Sequence, residues 1–364
     1  MSTNIKLNYG LEREFFVGDQ IFEDESERIF RKSWICVARQ EDFEDEGDSF
    51  RTIQLGADNL IVVRLQDGTF RAFHNLCRHR GTRLIDTECG TLKNSCVTCP
   101  YHAWTYDLQG SLIGAPNMHD VAGFDRDAFG LHSVGCVNWC GFIMIHLEST
   151  EAGFETDFAP LIERLKNWEL ENQRLAHTLS YDINANWKLV FQNYSECYHC
   201  PTVHPSLNRL TPYKSATNDL VRGAILGGPM ELADDCETVS LDGKRIGASF
   251  PGLSEQQCRS IYYYTVFPCM FVSAHPDYVM VHQLERISND NTLVKCHFLV
   301  PEETRHADLM RAVKQWDEVN REDWHVCELT QRGIASPAYQ PGPYSNLESM
   351  LVAFDQHYRC VMNG

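Results

Sequence analysis

The sequence predicts an α+β chain, a small all-β domain followed by a domain of strands and helices. Three observations carry this. From about residue 41 short apolar runs alternate with turn signals. Beyond residue 150 helical apolar spacing returns, over 154–170 and 186–200. Three strand-like runs, Tyr262–Val266, Tyr278–Ile287 and Leu293–Val300, then lead into a long helical stripe, Glu303–Arg332, marked by Leu309, Val313, Trp316, Val319 and Trp324.

Within the first region, residues 1–40 read as lead-in helices that pack on the C-terminal domain, because Phe22 to Phe30 followed by Trp34 has helical spacing. Leu60–Leu65, Asp67-Gly68 and Phe70–Phe73 read as a hairpin with an Asp-Gly turn. Asp107-Leu108-Gln109-Gly110 is another turn, and Trp139–Leu147 a strand closing the β region. The expected organisation is a lead-in over 1–40, a β domain over 41–155 and a C-terminal domain over 156–364.

Composition narrows the classes. A chain of 364 residues with 43% hydrophobic residues can bury a sizeable core. A net charge of −18 opposes nucleic acid and anionic membrane partners, and mildly favours a cationic substrate. Met1–Glu12 holds no apolar signal run, and no stretch reaches 18 apolar residues. The 15 cysteines are therefore expected to be reduced thiols and metal ligands of a cytoplasmic enzyme.

Two ligand runs stand out: Cys77-Arg78-His79-Arg80-Gly81, and Cys99-Pro100-Tyr101-His102-Ala103-Trp104. Each offers one thiolate and one imidazole. A structural zinc site usually groups like with like. The mixed pairing instead suits a Rieske [2Fe–2S] cluster, which needs both His on one iron. Replacing thiolate by neutral imidazole makes the cluster less negative and easier to reduce. Cys96 forms a competing C-x-x-C with Cys99 but reads as a bystander. Trp104 is suited to shielding the cluster from water. Cys89, Cys136 and Cys140 read as buried thiols.

The second domain carries Asn193-Tyr194-Ser195-Glu196-Cys197-Tyr198-His199-Cys200-Pro201-Thr202-Val203-His204. Two His five apart on a straight helix diverge by about 140°. Pro201 should bend the helix and swing His204 back. Two imidazoles with a distant carboxylate make the facial triad of a non-haem Fe(II) oxygenase, with positions open for O2. Asp323 is the candidate carboxylate, with Glu322 its adjacent competitor. Glu196 precedes His199 by three residues, within reach of its non-coordinating nitrogen.

Together these motifs resemble the oxygenase (α) subunits of Rieske-type non-haem iron oxygenases, over nearly the whole chain. The resemblance implies a Rieske domain followed by a helix-grip catalytic domain, an antiparallel sheet flanked by helices. It assigns Asp323 as third iron ligand and matches Asn193, Glu196, His199 and His204 in order and spacing. Ring-hydroxylating dioxygenases usually carry Asp where this chain has Glu196. Glu there, with the 327–333 and 339–344 segments, is similar to the quaternary-ammonium branch: choline, glycine betaine, stachydrine and carnitine monooxygenases. That branch implies a homotrimer without a small β subunit, and a flavin and plant-type [2Fe–2S] reductase drawing on NADH or NADPH. It also implies that Glu196 bridges His199 to the partner subunit's His102, the two metals of one chain being too far apart.

A betaine N-methyl hydroxylated at such a site collapses to formaldehyde and a demethylated amine. A quaternary ammonium calls for an aromatic cage. In a strand Tyr262 and Tyr264 share one face and Tyr263 points away; with Phe267 they are the expected cage. The alternatives are an aromatic-ring hydroxylase or aryl O-demethylase with the same metals, a Rieske electron carrier, and more distantly a zinc-stabilised binding protein.

Overall fold

The computed structural model describes residues 7–45, 47–148 and 151–363. Residues 1–6 of the expected lead-in lie outside the described residues. The chain divides into two compact units, Phe30–Asp157 and Met1–Ile29 with Phe158–Gly364.

The first unit holds an antiparallel seven-stranded sheet in the order Ile35–Arg39, Phe142–His146, Ser133–Trp139, Phe70–His74, Asp58–Arg64, Ser49–Leu55, Cys89–Thr91. The unit starts at residue 30 rather than 41, because Ile35–Arg39 is itself a strand paired with Phe142–His146. The Asp67-Gly68 hairpin forms as expected: Gly68 takes φ +82 and its N–H donates to the Leu65 carbonyl. The expected strand over 139–147 is instead a hairpin that turns at Cys140-Gly141, both at positive φ. At Gly141 a Cβ would meet the Arg39 guanidinium at 2.5 Å, so the Arg39 side chain would have to shift.

Asp58–Arg64 is buried on both faces. Leu60 and Val62 pack with Ala38, Ala72, Ile143 and Ile145. Ile61 and Val63 face the other way, into a cluster containing Cys77, Cys99, Trp104 and Tyr106. The strand alternation thus supplies the apolar floor under the ligand loops. The second loop rises from a small sheet of Cys96–Thr98, Thr105–Asp107 and Leu112–Gly114, in which Asp107 and Gly110 make the expected turn.

The second unit holds an antiparallel six-stranded sheet in the order Arg174–Ile183, Asn291–Val300, Val279–Ser288, Met270–Ala274, Ser260–Val266, Ile225–Glu231. The long helix His306–Ile334 packs on it. The lead-in helix Asp19–Arg28 belongs to this unit. Its buried Glu25 accepts from Lys188 Nζ at 2.5 Å, Trp187 Nε1 at 2.8 Å and Tyr358 Oη at 2.7 Å. A buried carboxylate needs such partners, and these tie three helices together.

The expected helix over 186–200 ends early. Asn186 caps it, its Oδ1 accepting from Lys188 N–H, and Trp187–Tyr194 forms. Residues 195–199 then leave the helix. The expected helix over 154–170 is Glu151–Leu165 followed by a 3-10 turn. Among the described residues no helix is long and apolar enough to cross a membrane.

Candidate metal centres

In the first unit Cys77 and Cys99 are each 2% exposed. Each closes its loop on its own backbone. Cys77 N–H donates to the Thr82 carbonyl and receives at its own carbonyl the Gly81 N–H. Cys99 N–H donates to the Trp104 carbonyl and receives the Ala103 N–H. Gly81 sits at φ +75, where glycine carries no Cβ penalty. Buried Asn75 staples the first loop from below, accepting the Leu84 and Ile85 N–H groups.

The His79 and His102 rings lie 4.7 Å apart. His102 Nδ1 is buried and has no hydrogen-bond partner. An orphaned imidazole nitrogen beside buried thiols fits a cluster ligand and is costly otherwise. Trp104 is buried and stacks on His79 at 4.8 Å, serving as both core and shield. Tyr106 Oη lies 3.4 Å from Cys77 Sγ and accepts the Arg78 N–H. Burial, with Cys77 beside it, pushes the Tyr106 hydroxyl far up, so it stays a neutral donor toward sulfur. Cys96 is a bystander, its thiol on the Lys93 carbonyl. Of the three expected buried thiols only Cys136 is buried; Cys89 is exposed and Cys140 half-buried, because they lie at a sheet edge and a turn.

In the second unit His199 and His204 bracket a single turn of helix, Cys200–Val203. Pro201 occupies its first turn, where its missing N–H costs nothing. The larger break comes after it. Pro205 keeps His204 out of the helical region, at φ −121 and ψ 64. That kink turns His204 back. The rings lie 5.2 Å apart, and Asp323 Oδ1 stands between their Nε2 atoms, 3.2 Å from His199 and 2.7 Å from His204.

The opposite nitrogens are also held. His199 Nδ1 meets Glu196 Oε1 at 2.5 Å, and His204 Nδ1 meets Glu322 Oε2 at 2.6 Å. Glu196 is not on a helix with His199, as spacing suggested; its Oε2 accepts the Tyr198 and His199 N–H groups of a turn. Glu322, left open as a ligand in the sequence, instead orients His204 from behind. Burial pulls both imidazoles down, but Asp323 with Glu196 outweighs it and holds His199 at about 10. Asp323 with Glu322 likewise raises His204. Burial would raise Asp323; the two imidazoles hold it instead at about 2.

His199, His204 and Asp323 each offer a ligand atom, all within 4.8 Å of one another. Two imidazoles and a carboxylate, each imidazole anchored at its far nitrogen, fit a mononuclear iron.

The triad opens on a cavity of about 280 Å³. The long helix turns Trp316, Val319 and Asp323 toward it, at helical spacing. Asn193 also lines it, with its Oδ1 buried and unpartnered. The expected cage is not there. Tyr262 packs on Trp168 at 5.2 Å, Tyr264 Oη donates to Asp219, and Phe267 packs among Trp187, Phe191 and His357. Of the three tyrosines in the run 262–264, Tyr263 is the one that lines the cavity. It lies 6.2 Å from Tyr194 and 6.4 Å from Trp316, and its hydroxyl is buried without a partner. The strand is covered on both faces, so alternation told which residues share a face but not which face meets the site.

Cys197 and Cys200 are joined by a disulfide, which corrects the expectation that every cysteine is a thiol or metal ligand. The turn that places His199 brings their Cα atoms to 5.0 Å, within disulfide reach.

A β unit with a mixed Cys/His loop pair, and a sheet-and-helix unit with a His/His/Asp triad, define a Rieske non-haem iron oxygenase. Comparison agrees. Residues 33–125 match the Rieske [2Fe-2S] domain and residues 170–364 the ring hydroxylating alpha subunit (catalytic domain). The chain is 30% identical over 372 residues to the glycine betaine monooxygenase oxygenase subunit of Pseudomonas aeruginosa (strain UCBPP-PA14), covering 93% of this chain and 85% of that one. It is 37% identical over 193 residues to the carnitine monooxygenase oxygenase subunit of Acinetobacter baumannii, covering 52% of this chain and 51% of that one. A solved structure of the quaternary ammonium Rieske monooxygenase CntA with L-carnitine superposes with TM-score 0.73 at 26% identity, covering 99% of this chain and 97% of that one. The chain belongs to the α subunits of the Rieske non-haem iron oxygenases, in the branch that contains these monooxygenase subunits. A catalytic-domain match over 170–364 removes the reading as an electron carrier alone, and the Rieske match removes zinc.

Proposed function

We propose that this chain is the oxygenase component of a monooxygenase that N-demethylates a betaine, releasing formaldehyde. The observation that carries the reading is the His199/His204/Asp323 triad opening on a small cavity walled by Tyr194, Tyr263 and Trp316. The three rings form a contiguous aromatic surface, the geometry that attracts a quaternary ammonium. The carboxylates Glu196 and Asp323 lend the same end a negative field.

Cys77, His79, Cys99 and His102 hold the cluster in this reading, and His199, His204 and Asp323 the iron. When bound, the cluster supplies single electrons and the iron activates O2. The chain's own groups do the rest. Glu196 and Glu322 hold the Nδ1 atoms, turning both Nε2 atoms toward Asp323 and the metal position. Asn193 lines the same cavity, its Oδ1 buried and unpartnered. The aromatic wall excludes water and turns one N-methyl toward the triad. Hydroxylation there converts C–H to C–OH, with the second oxygen atom leaving as water after two electrons and two protons. The hydroxyl proton then passes to nitrogen as the C–N bond breaks, giving formaldehyde and the protonated tertiary amine.

The electrons come in this reading from a separate flavin/[2Fe–2S] NAD(P)H reductase. The working unit is a homotrimer in which Glu196 bridges to the partner subunit's His102. Its half-buried ring and inward Nδ1 suit that role.

Single turnover of chemically reduced protein with O2 and a panel of betaines tests the reading. Formaldehyde with one member is the expected result. Cluster oxidation without formaldehyde from any member, together with turnover of an aromatic compound, overturns it.

A further inference from the structure

The cavity at the triad is lined by charged groups of both signs. Its charged groups near the triad are the carboxylates Glu196 and Asp323. Farther along the chain, the 3-10 turn Tyr213–Ser215 brings Lys214 to the cavity lining. It is the only lysine or arginine among the described residues that line the cavity.

The backbone beneath Lys214 is fixed. Tyr213 N–H donates to Asn208 Oδ1 at 3.1 Å. Ser215 Oγ donates to the Pro212 carbonyl at 2.7 Å and accepts the Glu231 N–H at 3.1 Å. The ammonium itself has no carboxylate or hydrogen-bond acceptor among the described residues, and lies 5.6 Å from the Tyr213 ring centre. An anchored turn that presents an unpaired cation to a cavity is a ready receptor for an anion. A second observation points to an occupant. Tyr263 lines the same cavity, and its hydroxyl is buried without a partner. Such a hydroxyl is costly unless a ligand satisfies it.

We propose that Lys214 receives the carboxylate of the substrate, so that the cavity selects zwitterionic betaines over quaternary ammonium alcohols such as choline. This rests on the reading of the triad cavity as a quaternary-ammonium site. The cation lies against the aromatic wall and the carboxylate reaches Lys214. Lys214 is thus a specificity-determining residue. A choline-type hydroxyl forms no ion pair with it and forgoes this contact.

The test is equilibrium binding of glycine betaine, carnitine, stachydrine and choline to the anaerobic holoenzyme by calorimetry, with KM for formaldehyde release alongside. Wild type, Lys214→Gln and Lys214→Arg are compared after their cluster spectra and iron contents are matched. For the betaine that wild type binds, Lys214→Gln should raise Kd and KM about tenfold to a hundredfold, a charge-assisted hydrogen bond being lost. Lys214→Arg should recover most of that, and choline binding should move far less. Unchanged betaine affinity in Lys214→Gln overturns the proposal, as does an equal loss for choline or wild-type preference for choline. If wild type binds no quaternary ammonium compound at all, the reading of the cavity fails and this inference falls with it. That outcome is distinct from a betaine that binds regardless of Lys214.

Discussion

His204 is gripped by two adjacent carboxylates of one helix, Asp323 at Nε2 and Glu322 at Nδ1. Neighbours on a helix point about 100° apart, which lets them straddle one imidazole. Their roles should separate in metal content. Asp323→Ala should lose the mononuclear iron and keep the cluster; full iron occupancy there would remove it as a ligand. Glu322→Gln should keep the iron but weaken it about tenfold to a hundredfold, the cost of losing a partner behind a ligand. A chelator titration reads the difference, and equal affinities would refute the orienting role. Protons compete for the same atoms. Because the carboxylates hold His199 at about 10 and raise His204, iron must displace protons, and its affinity should rise with pH across neutrality. A pH-independent iron affinity would contradict this. The His pair was legible because it sits in one short run, whereas the choice of Asp323 as its acid came from the family resemblance. Glu322 was not resolvable from its neighbour, since helix rotation about His204 decides which acid faces the metal. Tyr263 was lost to a parity that sequence leaves open.

At the element scale, the helix Ser349–Asn363 is tied through Asp355. Asp355 accepts from Gln192 Nε2 at 2.9 Å and Tyr344 Oη at 2.9 Å and is 5% exposed. Burial raises its carboxyl from 3.8 to about 7, against the pull of those donors. The native state therefore holds this proton more tightly than the unfolded chain. The stability it contributes is complete below pH 3.8 and is lost as pH rises to about 7. Asp355→Asn removes that loss. Denaturation from pH 5 to 8 should show wild type falling relative to Asp355→Asn, by up to a few kcal/mol. Parallel curves would sink the argument. The helices themselves were largely legible from periodicity, yet two ends were not. The run over 186–200 stops at Tyr194, after which the side chains of 195–199 serve the triad turn rather than a helix. The Trp139–Leu147 run hid a tight turn at Cys140-Gly141, because its apolar composition continues straight through.

At the scale of the whole molecule, the α+β order was legible in one chain, and two candidate ligand runs stood out within it, but an assembly is not legible, since it lies in surfaces that no periodicity marks. The proposed trimer nevertheless makes a sharp prediction. A heterologous ring places each subunit's donating face against one neighbour's accepting face. If electrons pass from one subunit's cluster to the next subunit's iron, the two centres need not be intact in the same chain. His79 is exposed, so His79→Ala should abolish the cluster without opening the core. Asp323→Ala should abolish the iron. Each variant alone should be inactive. Co-expressed or mixed after mild dissociation, they should form trimers in which an iron-competent chain follows a cluster-competent one. Half the chains keep iron, and half of those have the right neighbour, so formaldehyde release should recover to about a quarter of wild type. Electron transfer confined within a chain gives no recovery at any mixing ratio. Adding Glu196→Ala to the iron-competent partner separates assembly from bridging. Mixed trimers should still form, retain both metals and lose the recovered activity. Recovery that survives this change would leave the subunit crossing intact and remove Glu196 from its path.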